Sequence, residues 1–83
     1  MSGVPAHIDP MVAVRAELDA AIARVAAAYA ALPDEIQRGL DLRADEIEAR
    51  IENALVSGDP VAARQGITDW LAFHARTFRE AGR

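Results

Sequence analysis

The chain has 83 residues, of which 52% are hydrophobic, 27% are charged and 5% are aromatic. This length accommodates one hydrophobic core, so we predict a single small domain. The absence of cysteine excludes a disulfide framework, a thiolate nucleophile and a cysteine-based zinc site. Two histidines are too few for an imidazole cluster, and the sequence therefore predicts neither a metal nor another cofactor.

The chain carries a formal net charge of -4, which disfavours nucleic acid as a partner because phosphate binding requires a dense basic surface. The only basic cluster consists of Arg76, Arg79 and Arg83. It lies near the end of a predicted helix, where arginines interact favourably with the helix dipole.

No membrane or export signal is visible in the sequence. The first ten residues, MSGVPAHIDP, lack the basic and apolar regions of a signal peptide. Residues 20–32 are mostly alanine and are interrupted by Arg24, so they fall short of the roughly 20 strongly apolar residues of a membrane span. We expect a cytoplasmic protein without membrane contact. Its 19 alanines and nine arginines, with no lysine, are typical of a GC-rich bacterial genome or its phage.

The first helix is predicted to begin at Asp9-Pro10, where aspartate caps the helix and proline occupies its first turn. Residues 1–8 have no periodic pattern and are predicted to be a flexible tail before a single helical domain at 9–83. From Pro10 to about residue 32 the apolar residues recur at helical spacing. They are Met11, Val14, Leu18, Ala21, Ile22, Val25, Ala28, Tyr29 and Leu32.

Two further helices follow. Pro33 is predicted as the first residue of the second, which has a narrower apolar stripe and ends at Ser57-Gly58. Asp59-Pro60 repeats the cap of the first helix, and the third helix is predicted to run to about Ala81. Its apolar face consists of Ala63, Ile67, Trp70, Leu71, His74, Thr77 and Phe78.

Because the connections are short, the sequence predicts an all-α fold, a small antiparallel three-helix bundle. One alternative stays open within this class. Gly39 and Gly66 each precede a hydrophobic residue and a possible N-cap, a pattern that ends many helices. The second and third helices could therefore each be broken near their glycine, which would give five shorter helices.

The apolar faces are wide for so short a chain, and few aromatic residues are available to fill a core. We therefore expect self-association or docking on another protein. The predicted function is that of a non-enzymatic interaction module, either a homo-oligomeric scaffold or adaptor or a small subunit of a larger complex. The predicted interface comprises Val14, Leu18, Ile22, Val25, Tyr29, Trp70, Phe73 and Phe78.

A second hypothesis rests on charge. Residues 33–59 hold eight acidic residues and three arginines, whereas residues 60–83 have a net positive charge. The acidic face of the second helix could bind a basic site, as in a phage-encoded inhibitor or an antitoxin-like regulator. Its predicted residues are Asp41, Asp45, Glu48 and Glu52.

A third hypothesis is a small helical enzyme that uses His74 and arginines. His74 lies in the centre of an apolar face, where a histidine is more often part of the core than a general base. Neither Ser2 nor Ser57 lies in a nucleophile-elbow motif, and no phosphate-binding glycine loop is present. No small-molecule substrate is evident.

Overall fold

The computed structural model describes residues 9–82, which form three α-helices without a strand in this range. The helices are α1 (Pro10–Ala30), α2 (Asp34–Ser57) and α3 (Pro60–Ala81). The predicted all-α three-helix bundle is thus confirmed. The predicted tail, residues 1–8, and Arg83 lie outside the described residues.

The predicted aspartate caps begin α1 and α3. The Asp9 carboxylate accepts a hydrogen bond from the backbone N–H of Met11 at 2.9 Å, and the Asp59 carboxylate accepts one from Ala62 at 3.0 Å. α2 begins one residue later than predicted. Pro33 is its N-cap because the extended ψ of 148° places this residue just outside the helix.

Gly58 ends α2 in the left-handed conformation, with φ of 71°. This conformation is accessible to glycine at little cost, since glycine has no Cβ to clash with the neighbouring carbonyl. The backbone can therefore turn sharply into Asp59, and α3 runs back along α2.

α3 is the central helix of the bundle. α2 runs antiparallel to it, and α1 runs parallel to it, so that the chain has an up, down, up topology. α3 packs against both other helices, whereas α1 and α2 make few contacts with each other. The main core cluster draws residues from all three helices: Val14, Ala21, Ile51, Ala54, Ala63, Ile67 and Trp70.

Neither α2 nor α3 is broken at its glycine, so the five-helix alternative is wrong. Gly66 is buried against α2, and a Cβ built on it would lie 2.6 Å from Cγ1 of Ile51. This glycine allows two helices to cross closely rather than ending one. Gly39 has no neighbouring atom within 4 Å of an added Cβ. The helix continues through it because Leu40 and Ala44, directly beyond, are buried in the bundle.

Among residues 9–82, no helix combines the length and the apolar character needed to cross a membrane.

Candidate docking groove

A groove with a volume of about 620 Å³ lies between α1 and α2, with Trp70 of α3 among its lining residues. Its apolar lining includes Leu18 and Ile22 on α1, and Leu55 and Val56 on α2. Ile22 is 47% exposed and Val56 is 82% exposed. The groove therefore presents aliphatic side chains to solvent instead of burying them against the rest of the chain.

Trp70 of α3 forms part of the groove floor. It is hydrogen-bonded to α2, whose acidic residues form one wall of the groove. The indole is only 7% exposed, and its N–H donates a hydrogen bond to the Glu48 carboxylate at 3.1 Å. This bond satisfies the indole donor and holds the Glu48 carboxylate beside the groove. Glu52 follows one turn later on the same wall, while Arg15 is the charged residue on the α1 wall.

The predicted acidic residues lie along the side of α2 that faces α1. Their spacing of four, three and four residues places them on one stripe of a helix, which consists of Asp41, Asp45, Glu48 and Glu52 and is called the acidic stripe below. Asp45 and Glu52 are exposed, and Glu52 lines the groove. The structure thus brings Glu48 and Glu52 of the acidic stripe and part of the predicted apolar interface to the same groove, whereas Asp41 and Asp45 do not line it.

The end of the stripe nearest the α1–α2 turn is closed by Tyr29. Its hydroxyl donates to the Asp41 carboxylate, with both oxygens at 2.8 Å, and the Gln37 side-chain amide donates to the Tyr29 carbonyl at 2.9 Å. The hydrogen bond to Asp41 raises the pKa of the Tyr29 phenol, because ionisation would place a phenolate beside a carboxylate. These bonds join α1 to α2 at one end only.

Near its other end α1 is held to α3 by an ion pair. The Arg64 guanidinium donates to the Glu17 carboxylate through Nη2 at 2.9 Å and Nε at 3.1 Å. This hydrogen bonding lowers the pKa of Glu17 and raises the pKa of Arg64. Both side chains are about half exposed, so the pair orients α1 more than it stabilises the fold.

The residues of the predicted interface occupy different environments. Val14 and Trp70 belong to the core of the single chain, and Leu18 and Ile22 line the groove. The remaining four are partly buried. Val25 and Phe78 line a separate depression between α1 and α3, Tyr29 contacts Asp41, and Phe73 packs edge-on against His74 with ring centroids 5.7 Å apart.

The outer surface of α1 is a stripe of small residues. Ala16, Ala20, Ala23, Ala27 and Ala30 are all exposed. Their spacing places them on the side of the helix opposite Val14 and Ala21. The apolar surplus predicted for α1 is therefore present at the surface in the single chain.

His74 lies in the core and is 3% exposed. Its Nδ1 lies 2.8 Å from the carbonyl oxygen of Trp70, and the two rings pack with centroids 4.0 Å apart. When Nδ1 carries the proton, the ring donates a hydrogen bond to this carbonyl. In the part of the chain that the structure describes, no three histidine, aspartate or glutamate side chains converge as metal ligands would.

Sequence reasoning missed the contribution of Arg15 and Val56 to the groove. Val56 lies outside the narrow apolar stripe of α2 and belongs to the side of the helix that faces α1. The pairing of Glu17 with Arg64 was missed as well, since these residues are 47 positions apart and no local pattern joins them.

No model of a known protein family matches the sequence, and comparison with curated proteins and with solved structures gives no match either.

Proposed function

We propose that this protein is a non-enzymatic interaction module that binds a helix of another protein in the groove between α1 and α2. The observation that carries the proposal is the groove itself, with its exposed Ile22 and Val56 above a floor formed by Trp70. Exposed aliphatic residues grouped in a concave site are typical of surfaces that bind partners.

The shape of the site favours a helix as the ligand. The groove lies between two helices of 21 and 24 residues that both pack on α3. A fourth helix placed between them would complete a four-helix bundle, in which each helix has two neighbours. Helix-in-groove binding of this kind uses apolar residues at positions i, i+3, i+4 and i+7 of the ligand.

Capture of partners from an extract of the native cells tests the proposal, with Ile22→Gln as the diagnostic variant. Leu42→Gln is the matched control, because Leu42 is 80% exposed and does not line the groove. Glutamine is uncharged and favourable in helices, so both variants should fold. We expect the wild type and the control to retain the same partner and Ile22→Gln to lose most of it. Equal retention by all three proteins would contradict binding in the groove.

A second candidate is a homo-oligomeric scaffold, favoured by the exposed alanines of α1. Small side chains allow the backbones of two helices to approach closely, so this stripe could pair with that of another copy. Light scattering over a wide range of protein concentration tests it, with Ala23→Glu as the variant. A stable oligomer that Ala23→Glu dissociates would support the scaffold, and a monomer at every concentration would reject it.

A further inference from the structure

We propose that the helix bound by the groove is basic and amphipathic and belongs to a different protein. This inference rests on the function proposed above and specifies the chemistry of the partner. It joins the apolar lining of the groove to Glu48 and Glu52, the two residues of the acidic stripe that line its α2 wall.

Within the described part of the chain, the carboxylates of the stripe are not paired with basic residues. Among residues 9–82, neither Asp45, Glu48 nor Glu52 forms a salt bridge. Arg15, on the opposite wall, is the only basic residue that lines the groove within this range. The site therefore has an excess of negative charge beside its aliphatic lining.

Docking changes the surroundings of these carboxylates. A helix seated on Ile22 and Leu55 removes water from the adjacent Glu48 and Glu52, and a carboxylate that loses water without a cationic partner destabilises the complex. A partner with arginine or lysine along one edge supplies the missing charge. The Trp70 indole already orients the Glu48 side chain, so this side chain loses less conformational entropy when the partner binds.

The same charges disfavour a second copy of this chain in the groove. A two-fold symmetric contact places identical surfaces against each other. Two acidic stripes would then share one interface, with a single Arg15 from each copy to offset them. Like charges at an interface reject a partner, so a two-fold contact between copies at the groove is disfavoured and a different, basic protein is favoured.

The spacing of the groove carboxylates specifies the ligand further. Glu48 and Glu52 lie one helical turn apart, and the complementary cations lie at a similar spacing on the bound helix. Arginine suits this position better than lysine because its planar guanidinium can pair with a carboxylate through two hydrogen bonds.

Two synthetic helical peptides test the inference. They share one pattern of leucines, and one carries arginines along the edge where the other carries glutamates. Trp70 is the single tryptophan and forms part of the groove floor, so a change in its fluorescence reports occupancy of the groove. We expect saturable binding of the arginine peptide, at least tenfold weaker binding of the glutamate peptide, and loss of affinity as salt is added.

The double variant Glu48→Gln/Glu52→Gln isolates the role of the groove carboxylates. The glutamine oxygen at position 48 can still accept the indole hydrogen bond, so the floor is preserved. We expect the double variant to bind the arginine peptide about tenfold more weakly than the wild type does. The control Glu46→Gln/Glu80→Gln removes the same charge from exposed positions outside the groove and should bind as the wild type does.

The outcomes separate this inference from the function on which it rests. If both peptides bind equally and Ile22→Gln abolishes binding, the groove binds helices but the charge inference is wrong. If the arginine peptide binds equally to the wild type and to Ile22→Gln, the groove is not the site and both proposals fail. The absence of saturable binding of the arginine peptide overturns the charge inference, and the partner capture described above then decides the function independently.

Discussion

The two sides of α2 differ in how completely they are packed. Towards α3, the glycine at position 66 lets the helices meet so closely that no Cβ fits against Ile51. Towards α1, the same helix presents the acidic stripe and an open groove, and the side-chain hydrogen bonds between the two helices lie at Tyr29 near the connecting turn. α2 thus forms a closely packed interface with α3, called the closed interface below, and an incompletely packed interface with α1.

The difference indicates that the two sides of α2 have different roles in this chain of 83 residues. α2 and α3 supply most of the buried core residues, including Leu40, Ala44, Ile51 and Ile67. α1 contributes only Val14 and Ala21 as fully buried residues. Burial in one interface stabilises the fold, while the incomplete burial of the other leaves a surface for a partner.

The largest expected effect comes from Trp70→Ala, which removes the side chain shared by the two regions. Truncation of a buried aromatic residue costs about 3 to 5 kcal/mol, which is a large part of the stability of a small domain. We expect unfolding, or loss of most of the urea resistance, measured by circular dichroism. A variant with wild-type stability would place Trp70 outside the core.

A pair of glycine substitutions tests the closed interface. Gly66→Ala forces Ile51 to move, and we expect a net loss of about 1 to 2 kcal/mol after the gain in helix propensity. Gly39→Ala meets no neighbouring atom and should gain about 0.5 to 1 kcal/mol. Urea denaturation of both variants measures the contrast. The same sign of change in both would contradict the close crossing at Gly66.

Hydrogen exchange compares α1 with the other two helices. Regions with few buried contacts open more readily, so we expect the amides of residues 16–27 to exchange faster than those of residues 44–54 and 63–74. Mass spectrometry after proteolysis resolves these segments. Equal protection in all three helices would show that α1 is held as firmly as the α2–α3 pair.

The smallest effect concerns the end of the acidic stripe nearest the α1–α2 turn and is measured on the single tyrosine. The hydrogen bond to Asp41 raises the pKa of Tyr29, so the native state retains the phenolic proton where an unfolded chain loses it. The stabilisation is therefore complete below the ordinary tyrosine pKa of about 10 and is lost as pH rises through the higher native value.

Ultraviolet absorbance of the phenolate measures this titration while circular dichroism monitors the helices. Asp41→Asn should shift the midpoint back towards the ordinary value, because an amide does not repel a phenolate as a carboxylate does. An unchanged midpoint in Asp41→Asn would mean that the contact between Tyr29 and Asp41 does not persist in solution.

Helical periodicity and capping residues were sufficient to predict the three helices. Asp9 and Asp59 mark helix starts with their own side chains, and Gly58 marks an end through its backbone conformation. Gly39 and Gly66 carried a local signal for helix ends, but packing against neighbouring helices overrode it. The local sequence cannot reveal that Gly66 faces Ile51 on another helix.

The groove was only partly predictable. Periodicity identified Leu18 and Ile22 on one helix and the acidic stripe on another, because each set is a local pattern. It gave no distance between the helices, and the gap between α1 and α2 depends on how both pack on α3. Trp70 was expected at an interface from its size, whereas the structure buries it beneath the groove within the same chain.

Site-specific photocrosslinking in the native cells tests the central claim most directly. A photoreactive amino acid replaces Ile22 in the groove or, as the control, Leu42 on the outer surface of α2. Binding of a partner helix in the groove predicts a defined covalent adduct with another protein from position 22 and none from position 42. No adduct from position 22, or the same adducts from both positions, would contradict it.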